Sequence, residues 1–337
     1  MSASTSPIRL ALIGAGVFAR DAHVPSLLRH PDRFEIAAIY SRTHATAQAL
    51  AEQIPYAVDI HTDLDELLAR PDIEAVEVLL PISALPDAIT KALAAGKHII
   101  SEKPIAIDVE TGRKLLAQHA HHTNLVWMVG ENWRYESAFL QAAEMIQNGT
   151  IGTPLTCHWA LYTPINANSK YYHTLWRRDS SIPGGFIMDG GVHHIAALRM
   201  LLGEISQVNA TLRQNSPDLP PADTVAATLD FASGVVGTYL ATYATAAPWP
   251  PHLYIGGTEG SLRIQRREIE VTRAGKTERI ETEGFDGVEK ELLAFADSIR
   301  SGAPHRNAPI ESLRDLAVIE AILASAATGQ CVTPVQS

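Results

Sequence analysis

The sequence predicts two domains, a doubly wound parallel α/β sheet and then an α+β domain with a large, mainly antiparallel open sheet. Three observations predict it. From Ile8 to about Gly130, short β-branched runs alternate with amphipathic stretches, the grammar of βαβ units and a parallel sheet. Beyond Asn132, strand-like runs joined by glycine turns predominate, which implies antiparallel pairing. The chain has 337 residues, 46% apolar and 19% charged, enough to fill the cores of about two domains. The division is expected at residues 1–131 and 132–337, with the C-terminal helix over 311–326 packing back on the first domain.

In the first domain, strands are expected over 9–14, 34–40, 74–80, 98–101 and 125–130, and helices over 19–29, 45–53, 63–69, 85–94 and 109–120. Thr62 followed by Asp65 has the spacing of a capping box, and Gly96 stops the preceding helix. In the second, a helix over 136–147 ends at Asn148-Gly149. Strands follow over 155–162, 207–213, 224–231, 235–243, 253–255 and 261–264. A long helix over 191–202 interrupts them, and helices over 288–300 and 311–326 close the chain. No internal repeat or low-complexity tract is visible.

Composition narrows the function. The net charge of −10 and the lack of any Lys/Arg block argue against nucleic acid. Cys157 and Cys331 lie far apart without CxxC spacing, so neither a disulfide framework nor a cysteine zinc site is expected, and the cytoplasm is the expected compartment. The stretch from Met1 to Pro7 carries no charged side chain and reads as no secretory leader, and no apolar run has membrane-spanning length. Fourteen histidines raise the idea of a metal hydrolase. No HExxH is present, and the cluster His119, His121 and His122 falls on a solvated helix end, so no metal is expected. The absence of GxSxG removes a serine hydrolase of that type.

The first βα turn carries Gly14-Ala15-Gly16-Val17-Phe18-Ala19, a GxGxxA that ends a strand and opens a helix. Gly14 permits the tight turn, Gly16 lets backbone N–H groups approach a pyrophosphate, and Ala19 allows close helix-to-strand packing. The helix N-terminus adds a favourable dipole beside Val17 and Phe18. This is the Rossmann arrangement for a dinucleotide. The second strand ends in Tyr40-Ser41-Arg42-Thr43, without the carboxylate that would bind a free ribose 2′-hydroxyl. Ser41 and Arg42 instead suit a 2′-phosphate, which favours NADP over NAD.

Two further elements carry chemistry. Ser101-Glu102-Lys103-Pro104 follows the apolar run His98-Ile99-Ile100, at the strand end that faces the ligand in such sheets. A lysine there can hold a substrate hydroxyl and stabilise a developing alkoxide; equally, Glu102 and Lys103 read as a solvated loop pair. In Gly184-Gly185-Phe186-Ile187-Met188-Asp189-Gly190-Gly191-Val192-His193-His194, a helix starting near Asp189 sets Asp189 and His193 on one face. Histidine has the pKa to take a hydroxyl proton, and a carboxylate orients it. The plainer reading is an N-cap Asp and a packed His.

Gly14-Ala15-Gly16, Glu102-Lys103-Pro104 and the Asp189-x-Gly191-x-His193 signature, in this order, resemble the Gfo/Idh/MocA family of sugar and polyol dehydrogenases. The similarity extends from about Ile8 to Gly329. It takes in Asn132-Trp133-Arg134-Tyr135, Gly149-Thr150-Ile151-Gly152, Trp176-Arg177 and Gly256-Gly257-Thr258-Glu259-Gly260. The resemblance implies that Lys103 and His193 share a substrate hydroxyl with Asp189 beside them. It also implies that Pro104 borders the nicotinamide and that Asn132 and Arg177 line the cofactor or substrate cleft. Many members carry Asp three residues after the histidine; Ala196 stands there in this chain.

The expected activity is hydride transfer between NADP, or NAD, and a secondary alcohol or carbonyl of a sugar, polyol or related cyclic diol. The competing readings are a non-catalytic dinucleotide or sugar sensor, and an enzyme that uses tightly held NAD(P) transiently for sugar elimination or cleavage. A small-molecule substrate is expected, with no nucleic acid or membrane partner. Alternating Val, Thr and Tyr over 235–243 offer a sheet face for a homodimer or homotetramer.

Overall fold

The computed structural model describes residues 6–336. Most of the leaderless N-terminal stretch expected from the sequence, Met1 to Thr5, lies outside them, as does Ser337. The chain forms two compact units. One runs through Asn132 and takes in Val288–Leu313; the other comprises Trp133–Gly287 and the chain from Arg314.

The first unit is built on six parallel strands. β1 (Ile8–Ile13) is followed by α1 (Val24–Leu28), β2 (Phe34–Tyr40) and α2 (His44–Ala51). Next come β3 (Asp59–His61), α3 (Leu64–Leu68), β4 (Ala75–Val78) and α4 (Leu85–Ala94). β5 (His98–Glu102), α5 (Val109–His119) and β6 (Trp127–Gly130) complete the series. The sheet order β3-β2-β1-β4-β5-β6 reverses direction between β1 and β4, the switch point at which such sheets take ligands. Both faces are covered, so the strands are near-continuous apolar runs: Leu10, Leu12, Ile36, Ile39, Val76, Val78, Ile99 and Ile100 are all buried.

Three local expectations are corrected. The helix over 19–29 is a π-helical turn, Ala19–His23, running into the short α1. The cap of α3 is Asp63, not Thr62: its carboxylate accepts the N–H groups of Asp65 and Glu66. β3 escaped the sequence pattern because Asp59-Ile60-His61 is a short polar edge strand.

The second unit begins with α6 (Ser137–Gln147) and β7 (Pro154–Tyr162), then α7 (Phe186–Leu202) and β8 (Ile205–Arg213). β9 (Thr224–Phe231), β10 (Val236–Thr242), β11 (Leu253–Gly257), β12 (Gly260–Gln265), β13 (Glu268–Arg273) and β14 (Lys276–Glu281) follow. Eight strands run in the order β14-β13-β12-β11-β7-β10-β9-β8, all antiparallel except the central pair β7 and β10. β13 and β14 were missed because charged residues interrupt both and β14 is an exposed edge. α8 (Gly287–Ser301) joins the first unit from Val288 onward. α9 (Pro309–Thr328) gives its start, through Leu313, to the first unit; farther along, the Ser325 hydroxyl accepts the Ala210 N–H of β8.

α7 begins at Phe186, ahead of the expected 191, so Gly190 and Gly191 lie inside it. They are packing requirements. A Cβ at Gly190 would lie 1.9 Å from the Tyr243 hydroxyl, and one at Gly191 would lie 2.8 Å from Ile319 Cδ1. The helix thus lies close against the strand segment after β10 and against α9.

A buried ion network ties these elements together. Arg134 Nη2 donates to both oxygens of Asp315 at 2.9 and 2.8 Å, and Arg199 Nη1 donates to Asp315 Oδ1 at 2.6 Å. Asp315 is only 1% exposed, so its removal takes the carboxylate from the buried Arg134 guanidinium, while Arg199 keeps its two bonds to Glu204. Asp315→Ala is expected to lower unfolding free energy by about 3–5 kcal/mol. Urea titration checks this, and a loss under about 1 kcal/mol would show the network to be dispensable.

Candidate active site

In the first unit, the residues singled out from the sequence sit at the carboxyl edge of the parallel sheet. Gly14 follows β1 with φ +117°, and a Cβ there would come within 2.4 Å of the Leu79 carbonyl oxygen, so only glycine fits the turn. Gly16 is exposed, with open space where a side chain would project. Helical turns then run unbroken over residues 17–28, from Val17 and Phe18. This is the cradle a pyrophosphate needs: a bare backbone at a helix start. Ser41 and Arg42 follow β2; the Ser41 N–H bonds the His61 carbonyl, and Arg42 is exposed. Lys103 follows β5, half-buried, joined by a cis peptide to the buried Pro104. Asn132, buried, opens the short helical turn after β6.

Glu102, expected beside the cofactor, directs its carboxylate toward a group the sequence reading passed over. His23, at the end of the π-helical turn, is 2% exposed. Its Nδ1 lies 3.0 Å from Glu77 Oε2, and its Nε2 lies 3.7 Å from Glu102 Oε1. Burial pushes the imidazole down, but Glu77 and Glu102 outweigh it and hold the ring charged, with its pKa raised to about 10. Glu291 on α8, which accepts Asn307 Nδ2 at 3.0 Å, is pushed well above the usual carboxylate range. Burial is the main cause, and the negative charges of Glu131, Glu102 and Glu77 add to it. The available signal was Glu77 itself, a lone carboxylate in the apolar run Ala75-Val76-Glu77-Val78.

In the second unit, α7 carries the Asp/His motif. Gly185 caps the helix, so Asp189 lies within the first turn, and the N-cap reading of that residue is discarded. Arg177 Nε donates to Asp189 Oδ2 at 2.7 Å, bringing together two residues that the sequence treated separately. The guanidinium is itself pinned. Its carbon lies 4.2 Å from the Trp176 ring centre and 4.8 Å from that of Tyr171, and Nη1 donates to Thr174 Oγ1. His193, one helical turn beyond Asp189, is partly exposed and stacks on Trp133 with ring centres 5.9 Å apart and planes 18° apart.

His194, without a role in the sequence reading, is a core residue. It is buried, Nδ1 lies 2.8 Å from the Tyr239 hydroxyl, and its ring meets Trp133 and Trp159 edge-on. Ala196 is fully buried and puts no polar group on this helix. The Tyr243 hydroxyl, beside Asp189, is buried without a hydrogen-bond partner; burial, then the Asp189 charge, pushes its pKa up. Among the described residues no group of three His, Cys, Asp or Glu side chains could hold a metal ion, and no helix is long and apolar enough to cross a membrane.

Two family models match the chain. The oxidoreductase family's NAD-binding Rossmann fold covers residues 8–131, and its C-terminal α/β domain covers residues 143–336. A dehydrogenase from Fusarium mangiferae is 34% identical over 95% of this chain and 97% of its own length. The crystal structure of an oxidoreductase from Thermotoga maritima is 34% identical with a TM-score of 0.91, covering 97% of this chain and 98% of the other. Levoglucosan dehydrogenase in complex with NADH and levoglucosan is 25% identical with a TM-score of 0.89, covering 98% of this chain and all of the other.

The His23 ion cluster sets a pH signature with a definite sign. A pKa raised from 6.5 to about 10 gives stability that is complete below about 6.5 and is lost as pH climbs through 10. The stability difference between wild type and His23→Gln should therefore shrink across that window. Urea unfolding of both proteins at several pH values checks it, and a constant difference would contradict the assignment.

Proposed function

The chain belongs to the Gfo/Idh/MocA oxidoreductase family, and we propose that it transfers a hydride between NADP, or NAD, and a secondary alcohol or carbonyl of a sugar, polyol or related cyclic diol. The observation that carries this reading is the face of α7. There Asp189, fixed by Arg177, precedes a partly exposed His193 by one turn, in a chain whose other unit sets Lys103 at the ligand edge of a dinucleotide-type sheet. The bound sugar of the levoglucosan dehydrogenase structure supports the substrate class.

Each residue then has a task. The backbone from Gly14 to Phe18 would hold the pyrophosphate, with Pro104 and Asn132 nearer the nicotinamide. Ser41 and Arg42 would take a 2′-phosphate, which is why NADP is preferred. The dinucleotide, when bound, supplies the hydride acceptor or donor. The Lys103 ammonium stabilises negative charge on the reacting oxygen, and the His193 imidazole exchanges its proton. Arg177 holds Asp189 in one orientation, and Asp189 tunes the histidine from the same helix face.

The test mixes the protein with NADPH or NADH, or their oxidised forms, and a panel of sugars and polyols while cofactor absorbance is followed. Net turnover supports this reading. Binding without turnover supports a sensor, and product without net cofactor change supports transient redox chemistry. On a sugar that turns over, Lys103→Ala should lower kcat by about 100-fold or more, with dinucleotide affinity changed by less than about threefold. An unchanged kcat would remove the lysine from the mechanism.

Of the face expected over 235–243, Val235, Tyr239 and Tyr243 are buried in the core; the second unit's sheet exposes instead Leu155, Val236 and Tyr254, at 49%, 54% and 46%. Apolar side chains in this density on adjoining strands suit pairing with a second copy of the chain, as a homodimer or homotetramer. Sedimentation velocity is expected to give a mass of two or four chains; a monomer at all concentrations would contradict it.

A further inference from the structure

We infer that His23 is a positioning residue for Lys103: its imidazole, bonded to Glu77 and facing Glu102, holds the end of β5 and with it the turn into Lys103 and Pro104. The inference rests on the reading of Lys103 as the substrate-facing lysine only for its catalytic consequence.

The register explains why one ring can reach both carboxylates. Glu77 of β4 pairs with Ile100 of β5, and Glu102 lies two residues beyond Ile100 on the same sheet face. The two carboxylates therefore stand diagonally on neighbouring strands, and a planar side chain with a nitrogen at each side can address both. His23 does so, at 3.0 Å from Glu77 and 3.7 Å from Glu102. The π-helical turn that ends at His23 belongs to the same helix that starts from the glycine loop, and Phe18 of that loop packs against the His23 ring at 5.0 Å, edge to face. The ring thus joins the dinucleotide loop to the lysine-bearing strand end.

Electrostatics decides which part would move without it. With the cation gone, Glu77 and Glu102 repel each other in a site that Glu131 and Glu291 also line. The Glu77 side chain is wholly buried within β4, whereas the Glu102 side chain is 16% exposed at a strand end. Glu102 is the one free to withdraw toward solvent, and Lys103 is covalently next to it. Imidazole charge, held by Glu77 and Glu102 against burial, keeps this from happening at neutral pH.

The test reads Lys103 without needing a substrate. Intact wild type, His23→Ala and Glu77→Gln are treated with a trace of acetic anhydride, and mass spectrometry gives the acetylation of Lys103 relative to Lys91 and Lys114. Both variants are expected to change the relative reactivity of Lys103 by about threefold or more. Added imidazole should return His23→Ala toward wild type by refilling the vacated space. Unchanged Lys103 reactivity in the folded variants would overturn the inference. So would a change in His23→Ala that imidazole does not reverse, since that marks lost packing alone. If His23→Ala does not fold, the isosteric Glu77→Gln decides by itself. A null effect of Lys103→Ala on turnover would instead remove the catalytic reading and leave this labelling result standing.

Discussion

A carboxylate in the middle of an apolar parallel sheet has to find a cation, and the first unit is arranged around that requirement. Glu77 lies on β4, next to the switch point, with no exposed surface. An unpaired charge there would cost several kcal/mol. The partner comes from the helix after β1, which must turn His23 inward just past the glycine loop, and the π-helical turn shifts the helical register at that point. The loop geometry for a phosphate and the buried ion cluster are therefore parts of one local solution.

The second unit meets a different constraint, that of close approach. α7 can lie against Tyr243 and Ile319 only because two consecutive glycines remove the side chains that would collide. That contact decides which way the helix faces. Adjacent residues on a helix point about 100° apart, so His194 enters the aromatic core against Tyr239 while His193 stays partly exposed on Trp133. Helix geometry alone divides the two neighbouring histidines into a core residue and a partly exposed one.

Much of this was legible in the sequence because it depends on local pattern. β2, α4 and β9 fall at the expected residues, and the glycine loop stands at the first βα turn. What was not legible depends on partners distant in sequence. Nothing local shows that α7 starts at Phe186 or that Gly190 and Gly191 make room for Tyr243 and Ile319. Thr62 and Asp63 are both good caps, and only backbone geometry chooses Asp63. β13 and β14 carry a charged edge whose alternation is blurred by Glu, Arg and Lys. His23 is a single histidine in a helix, and its meaning emerges only when strand register sets Glu77 and Glu102 on the same face.

The Arg177 side chain has a consequence for how such a chain can diversify. It fastens the segment between β7 and α7 to the rigid helix through one ion pair, with Trp176, Tyr171 and Thr174 holding the guanidinium from within the segment itself. The segment is held as well at its start, where the Thr163 and Ile165 N–H groups donate to the Thr242 and Tyr243 carbonyls, and by Arg178 Nε on the Asp218 carbonyl, so the room for change lies between those anchors. There a surface excursion can be exchanged while Asp189 and His193 keep their places on the helix.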